Sequence, residues 1–136
     1  AERGHDPYLA YQTVQEFVPW TLRDDWMELL NAYARCVRIV RSFETEFELR
    51  PDRFVEPSTQ RLYESYLVCR EQVGLQGSID QLFTAFQPMI EPITAFFDDV
   101  LVMAEDETLR ENRLALLQHI AALTDGIVDL TRVEGF

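Results

Sequence analysis

The sequence contains no lysine, so its 12 basic residues are all arginine, and they stand against 24 acidic residues for a net charge of −12. Its two cysteines and two histidines are scattered, which does not indicate a zinc site or a redox motif. No apolar run approaches the roughly 20 residues that a membrane span requires. Glycine-rich phosphate or dinucleotide motifs and nucleophile signatures are also missing. We therefore predict no catalytic residue, no metal and no membrane contact.

The few glycines and prolines fall between segments of helical periodicity, a pattern typical of an all-α protein. We predict an antiparallel bundle of five or six helices in a single domain, residues 1–136. Residues 1–20 would form an N-terminal helix or linker, and 21–136 the bundle. The chain has no initiator methionine and no signal-peptide pattern, so we expect a domain cut from a longer cytoplasmic protein. Cys36 and Cys69 would then be reduced, buried thiols.

Capping residues and prolines predict where the helices begin and end. A first helix would span Pro7 to Phe17. A second would begin at Thr21, with Asp24 as its capping-box partner, and run to about Phe43. Its apolar positions recur every three or four residues and predict a buried stripe of Leu22, Trp26, Leu29, Leu30, Tyr33, Val37 and Val40.

The second half of the bundle is predicted in the same way. A third helix would begin near Pro57 and end before Gly74. Ser78 would cap a fourth helix, which Pro88 and Pro92 would kink or split. Asp106 would cap the last helix, which Gly126 would interrupt or end.

Acidic clusters at 24–28 and 105–107 raise the alternative of a bound metal ion. The histidines that complete a di-iron bundle are missing, and solvated faces or helix N-termini account for the carboxylates. We therefore predict no metal site there.

The distribution of arginine is uneven, and contact with RNA is one of two explanations for it. Arg35, Arg38 and Arg41 fall at i, i+3 and i+6, so they form a ridge along one flank of a helix with no acid between them. Arginine suits phosphates and base edges, and tyrosine can stack on unpaired bases. The candidate RNA contacts are Arg35, Arg38, Arg41, Arg53, Arg61, Tyr33 and Tyr63. The alternative is that these arginines pair with glutamates and the aromatic residues fill the core.

One stretch, Glu91 to Leu117, carries a long ordered motif: Glu91-Pro92, then Ala95 to Asp98, then Leu109-Arg110 and Asn112-Arg113-Leu114. It resembles the C-terminal anticodon-binding domain of the β subunit of the bacterial heterotetrameric type of glycyl-tRNA synthetase, a helical, DALR-like module. The resemblance covers about residues 24–130. Arg38 departs from the family pattern, which has asparagine there, and so do residues 124–129.

The resemblance implies that this domain is non-catalytic and holds the anticodon stem-loop of tRNA(Gly). The whole ligase would use ATP and Mg²⁺ in its α portion, and that portion and the neighbouring domains would be further partners; neither DNA nor a membrane is expected. The motif residues Asp98, Arg110, Asn112 and Arg113 would contact RNA or be structural, with Arg113 pairing with Asp98 or Asp129. Two alternatives stay open: a protein-interaction module, or the anticodon-binding domain of another synthetase.

Overall fold

The computed structural model describes residues 18–73 and 78–124, which contain five complete α-helices, a helical turn at residues 18–21 and no strand. We number the helices α1 to α5: Trp26–Val40, Pro57–Val73, Ile79–Phe86, Ile90–Asp99 and Glu107–Ala121. Short 3₁₀ turns lie before α2 at Pro51–Arg53, between α3 and α4 at Gln87–Met89, and after α5 at Ala122–Thr124. The predicted all-α fold is confirmed. No helix in the described part of the chain is long and apolar enough to cross a membrane.

The helices pack around one core, and the middle of α5 is enclosed by it. Helix α1 packs against α5 and α4, and α2 packs against α3 and α4. Six consecutive residues of α5, Asn112 to Leu117, are buried, so this helix has contacts on every side. The largest fully buried side chains come from α1 to α5 and the Met89 turn: Leu29, Leu30, Leu62, Ile79, Leu82, Phe83, Met89, Ile93, Phe96, Leu114, Leu116 and Leu117.

Two ends of the bundle can be distinguished by contacts between distant residues. Tyr33 of α1 reaches the carbonyl of Ala121, at the C-terminal end of α5. After α1 the chain returns along α5 as far as Asn112, which lies in the first half of that helix. The end where α1 finishes and α2 begins is called here the arginine end. The opposite end, where Trp20 and Trp26 flank Phe83 of α3, is called the tryptophan end.

Most predicted helix starts in the second half of the chain agree with the structure. Helix α2 spans the predicted range from Pro57 to Val73. Ser78 accepts from Gln81 N–H and forms a full capping box at α3. Asp106 accepts from Leu109 N–H at the start of α5. Pro88 lies in a 3₁₀ turn that separates α3 from α4, so the split predicted there is correct. Pro92 lies in the first turn of α4 and does not interrupt it.

The predicted N-cap of α1 is wrong by four residues, because Asp25 and not Thr21 precedes the helix. Thr21 donates its hydroxyl hydrogen to the Val18 carbonyl, and the α-helix begins only at Trp26. Leu22 therefore lies outside the buried stripe and is 78% exposed. The predicted helix Pro7–Phe17, the connection at 74–77 and the predicted end at Gly126 lie outside the described residues.

Candidate nucleic-acid interface

The three arginines of the predicted ridge are all exposed on α1 and at its C-terminal cap. The guanidinium carbon of Arg35 lies 4.3 Å from the centre of the Phe97 ring of α4. Stacking of this kind orients the guanidinium plane while its N–H edges stay available. No hydrogen bond or ion pair with a described residue engages the guanidinium of Arg41. The ridge of Arg35, Arg38 and Arg41 is therefore a surface feature, as the sequence spacing predicts.

Arg53 and Tyr63 are brought to the same region by the segment that connects α1 to α2. Arg53 is exposed in the turn Pro51–Arg53, and within the described ranges its guanidinium has no ion-pair partner. The next residue, Phe54, packs edge-to-face on Tyr63 with ring centres 5.5 Å apart. Both rings are only partly buried. The turn thus presents a cation beside an accessible aromatic pair, a combination suited to phosphate and base.

Arg61 is less available than the other candidate arginines. Its guanidinium lies 2.9 Å from the carboxylate of Glu91, which links α2 to α4. Both side chains are more than half exposed. An exposed pair of this kind contributes about 1 kcal/mol or less, so it would not prevent Arg61 from exchanging Glu91 for a phosphate.

Tyr33 of α1 is buried against α3 and the C-terminal end of α5, so its ring is not available to RNA. Its hydroxyl donates to the Ala121 carbonyl at 2.7 Å and lies 2.8 Å from the Thr124 hydroxyl. Its ring packs edge-to-face on Phe86. Only 4% of the residue is exposed. This burial is incompatible with the predicted stacking on unpaired bases, and the role of Tyr33 is structural.

We expect Tyr33→Phe to lower the free energy of unfolding by about 1 to 2 kcal/mol, because it removes a partly buried hydroxyl that bonds Ala121 and Thr124. Urea titration followed by circular dichroism measures this loss. RNA affinity of the folded variant should stay unchanged. A variant of normal stability with weakened RNA binding would contradict the structural role.

The arginines of the family motif bind backbone carbonyls of the segment that connects α4 to α5. Arg113 is buried and donates from Nη1 to the Leu101 carbonyl at 2.6 Å. Arg110 donates from Nη1 to the Ala104 carbonyl at 3.2 Å. The predicted pair of Arg113 with Asp98 is wrong, because Asp98 is exposed and the chain turns after α4 to present a carbonyl instead. Asp129 lies outside the described residues.

Two side-chain amides of α5 bind the backbone of the segment 41–56 that connects α1 to α2. Asn112 accepts from Arg50 N–H at 2.8 Å and donates to the Arg50 carbonyl at 2.9 Å. Gln118 accepts from Phe47 N–H at 2.9 Å and donates to the Thr45 carbonyl at 2.8 Å. Each amide pairs with the extended backbone as a neighbouring strand would. The only signal for these contacts in the sequence is two amides near the ends of the apolar run Leu114–Leu117.

The titratable groups of the described residues show no poised nucleophile. Burial raises the pKa of Cys36 to about 12 and that of Cys69 to about 11, so both thiols stay protonated near neutral pH. A hydrogen bond with Glu107 raises the pKa of Glu111. Burial, and then the charge of Arg70, lower the pKa of His119. No group of three or more potential metal ligands occurs in residues 18–73 and 78–124.

A helical bundle that presents exposed arginines at the end of α1 and in the turn before α2 is suited to local recognition of a polyanion. The family model described as DALR anticodon binding domain matches residues 29–133. The chain therefore belongs to the DALR anticodon-binding domain family, and the predicted family resemblance is confirmed.

Several similar proteins are glycine–tRNA ligases or their β subunits. The chain is 33% identical, over its full length, to the chloroplastic/mitochondrial glycine–tRNA ligase 2 of Arabidopsis thaliana, of which it covers 13%. It is 32% identical over 98% of its length to the glycine–tRNA ligase β subunit of Moorella thermoacetica, of which it covers 20%. The chain is 40% identical, over 62% of its length, to the glycine–tRNA ligase β subunit of Desulforudis audaxviator, of which the match covers 13%. The chain thus spans a fifth or less of these relatives.

Proposed function

We propose that this chain is the anticodon-binding domain of a glycine–tRNA ligase and that it holds the anticodon stem-loop of tRNA(Gly). The observation that carries the proposal is the match of the anticodon-binding family over residues 29–133, together with relatives named glycine–tRNA ligase. That match extends from the first turn of α1 past the end of α5, so it covers nearly all of the five helices.

The arginine end supports this proposal physically. Arg35, Arg38 and Arg41 run along α1 toward this end, and Arg53 lies in the turn before α2. Arginine binds phosphate with paired N–H donors. The partly exposed pair of Phe54 and Tyr63 next to Arg53 offers ring surface to an unstacked base of the loop. Phosphate contacts would thus come from α1 and the turn, and base contacts from the aromatic pair.

The remaining functions of the ligase would belong to other parts of the protein. In this proposal the joining of glycine to tRNA, with ATP and Mg²⁺, takes place in the α portion, and this domain holds no cofactor. Other domains of the synthetase would be its protein partners, in the cytoplasm.

Titration of this chain with tRNA(Gly), and with the same tRNA altered in its anticodon, tests the proposal. We expect the altered tRNA to bind at least about tenfold more weakly, since loop bases are read directly. We expect log Kd to rise with log salt with a slope of about 3, the value for four contacts to single-stranded phosphates. Equal affinity for both tRNAs would contradict anticodon recognition, and undetectable binding at low salt would contradict RNA binding.

A further inference from the structure

The carbonyl oxygen of Arg50 accepts two hydrogen bonds that connect α5 to the turn carrying Arg53. One comes from Nδ2 of Asn112 at 2.9 Å. The other comes from Arg53 N–H at 3.0 Å and closes the 3₁₀ turn Pro51–Arg53. Asn112 also accepts from Arg50 N–H, so its carboxamide fixes both polar groups of this residue. One side chain of α5 therefore ties the start of the turn to that helix through two hydrogen bonds.

Asn112 is itself closed to solvent and to ligands. It is 4% exposed, and both functional groups of its carboxamide are used by Arg50. The side chain that the turn presents, Arg53, is exposed. The residue after the turn, Phe54, rests on Tyr63 of α2. Any influence of Asn112 on a ligand must therefore pass through the turn.

We propose that Asn112 is a positioning residue for RNA: its carboxamide fixes the Pro51–Arg53 turn so that Arg53 meets a phosphate next to the Phe54–Tyr63 pair. This inference rests on the proposed function. A flexible arginine would lose more conformational freedom when it binds a phosphate, so a fixed turn makes the Arg53 contact stronger. Removal of Asn112 should then weaken RNA binding only through Arg53.

A double-mutant cycle measures this coupling. The Kd for tRNA(Gly) is measured for the unaltered chain, Asn112→Ala, Arg53→Gln and the double variant. We expect each single change to weaken binding roughly fivefold near 0.1 M salt, the effect of one lost phosphate contact. The double variant should be no weaker than Arg53→Gln alone, whereas independent residues would give about 25-fold. The salt slope should fall by about 0.7 in all three variants.

The matched control combines Asn112→Ala with Arg41→Gln, which lies on α1 and not on the turn. Here the two effects should multiply, because Arg41 does not depend on Asn112. Hydrogen exchange provides a readout separate from RNA: the Arg50 and Arg53 amides should exchange faster in Asn112→Ala. Asn112→Leu keeps the volume and removes both hydrogen bonds, and it replaces Asn112→Ala in the cycle if that variant does not fold.

The outcomes separate the two proposals. Unchanged affinity in a folded Asn112 variant, or effects that multiply with Arg53→Gln, would overturn the positioning role while tRNA binding stands. Failure of the unaltered chain to bind tRNA(Gly) would overturn the proposed function and the positioning role with it. A double variant that binds as Arg53→Gln does, with multiplied effects in the Arg41 control, supports the positioning role.

Discussion

Replacement of Arg38 and Arg41 by glutamate should weaken binding of tRNA(Gly) by at least about a hundredfold near 0.1 M salt, because two phosphate contacts are lost and two repelling carboxylates are added. Both residues are exposed at the C-terminal end of α1. The melting temperature should fall by only a few degrees, since exposed substitutions away from the core cost about 0.5 kcal/mol each. Equilibrium titration with labelled tRNA, beside a thermal melt, measures both quantities.

The matched control is the double variant Arg23→Glu and Arg70→Glu, which changes the net charge by the same amount. Arg23 lies over the Trp20 ring at the tryptophan end and pairs with Asp25. Arg70 lies in the last turn of α2, about 20 Å along that helix from Pro57. We expect this variant to weaken binding less than about tenfold, by long-range repulsion that salt screens. Equal losses in the two double variants would show that overall charge, and not the ridge, controls binding.

Phe83→Ala should produce the largest loss of stability, about 3 to 5 kcal/mol, because it leaves a cavity in the core. Phe83 is 1% exposed, and its ring lies 5.3 Å from Trp20 and 5.4 Å from Trp26. These are the two tryptophans of the chain, so their fluorescence reports directly on the site. Urea unfolding followed by tryptophan emission measures the change, together with a shift of the native emission to longer wavelength.

Two further substitutions control for the Phe83 effect. Thr84, the next residue along α3, is exposed. Thr84→Ala should therefore change the free energy of unfolding by about 0.5 kcal/mol or less. Phe83→Leu retains most of the volume and should recover more than half of the loss. A Phe83→Ala protein as stable as the Thr84→Ala protein would contradict the packing of α3 against the two tryptophans.

Local signals in the sequence predicted the helices whose ends depend on nearby residues. Ser78 and Gln81 cap α3 through contacts three residues apart, which a sequence pattern can show. The start of α1 could not be found this way. The carboxylate of Asp25 accepts a hydrogen bond from Gln87, 62 residues away, and another from Arg23, two residues away. The tertiary contact with Gln87 therefore competes with a local cap. A capping box at Thr21 is a local preference that these contacts override.

The exposure of the candidate side chains was predictable in part. The exposed ridge of Arg35, Arg38 and Arg41 follows from helical spacing alone. Tyr33 belonged to the predicted buried stripe, and that periodicity was the better guide than its capacity to stack on bases. The contacts of Asn112 with Arg50 join residues 62 positions apart and involve backbone atoms, which leave no pattern in side-chain types. These contacts are visible only once the chain is folded.

The amides of Asn112 and Gln118 also set a constraint on chain length. Gln118 bonds Thr45 and Phe47, and Asn112 bonds Arg50, so the number of residues between these backbone groups is fixed by the spacing of two side chains on a rigid helix. An insertion or deletion between Phe47 and Arg50 would leave one amide facing the wrong backbone group. Relatives that keep both amides should therefore vary in length only outside this interval, before Thr45 or after the turn.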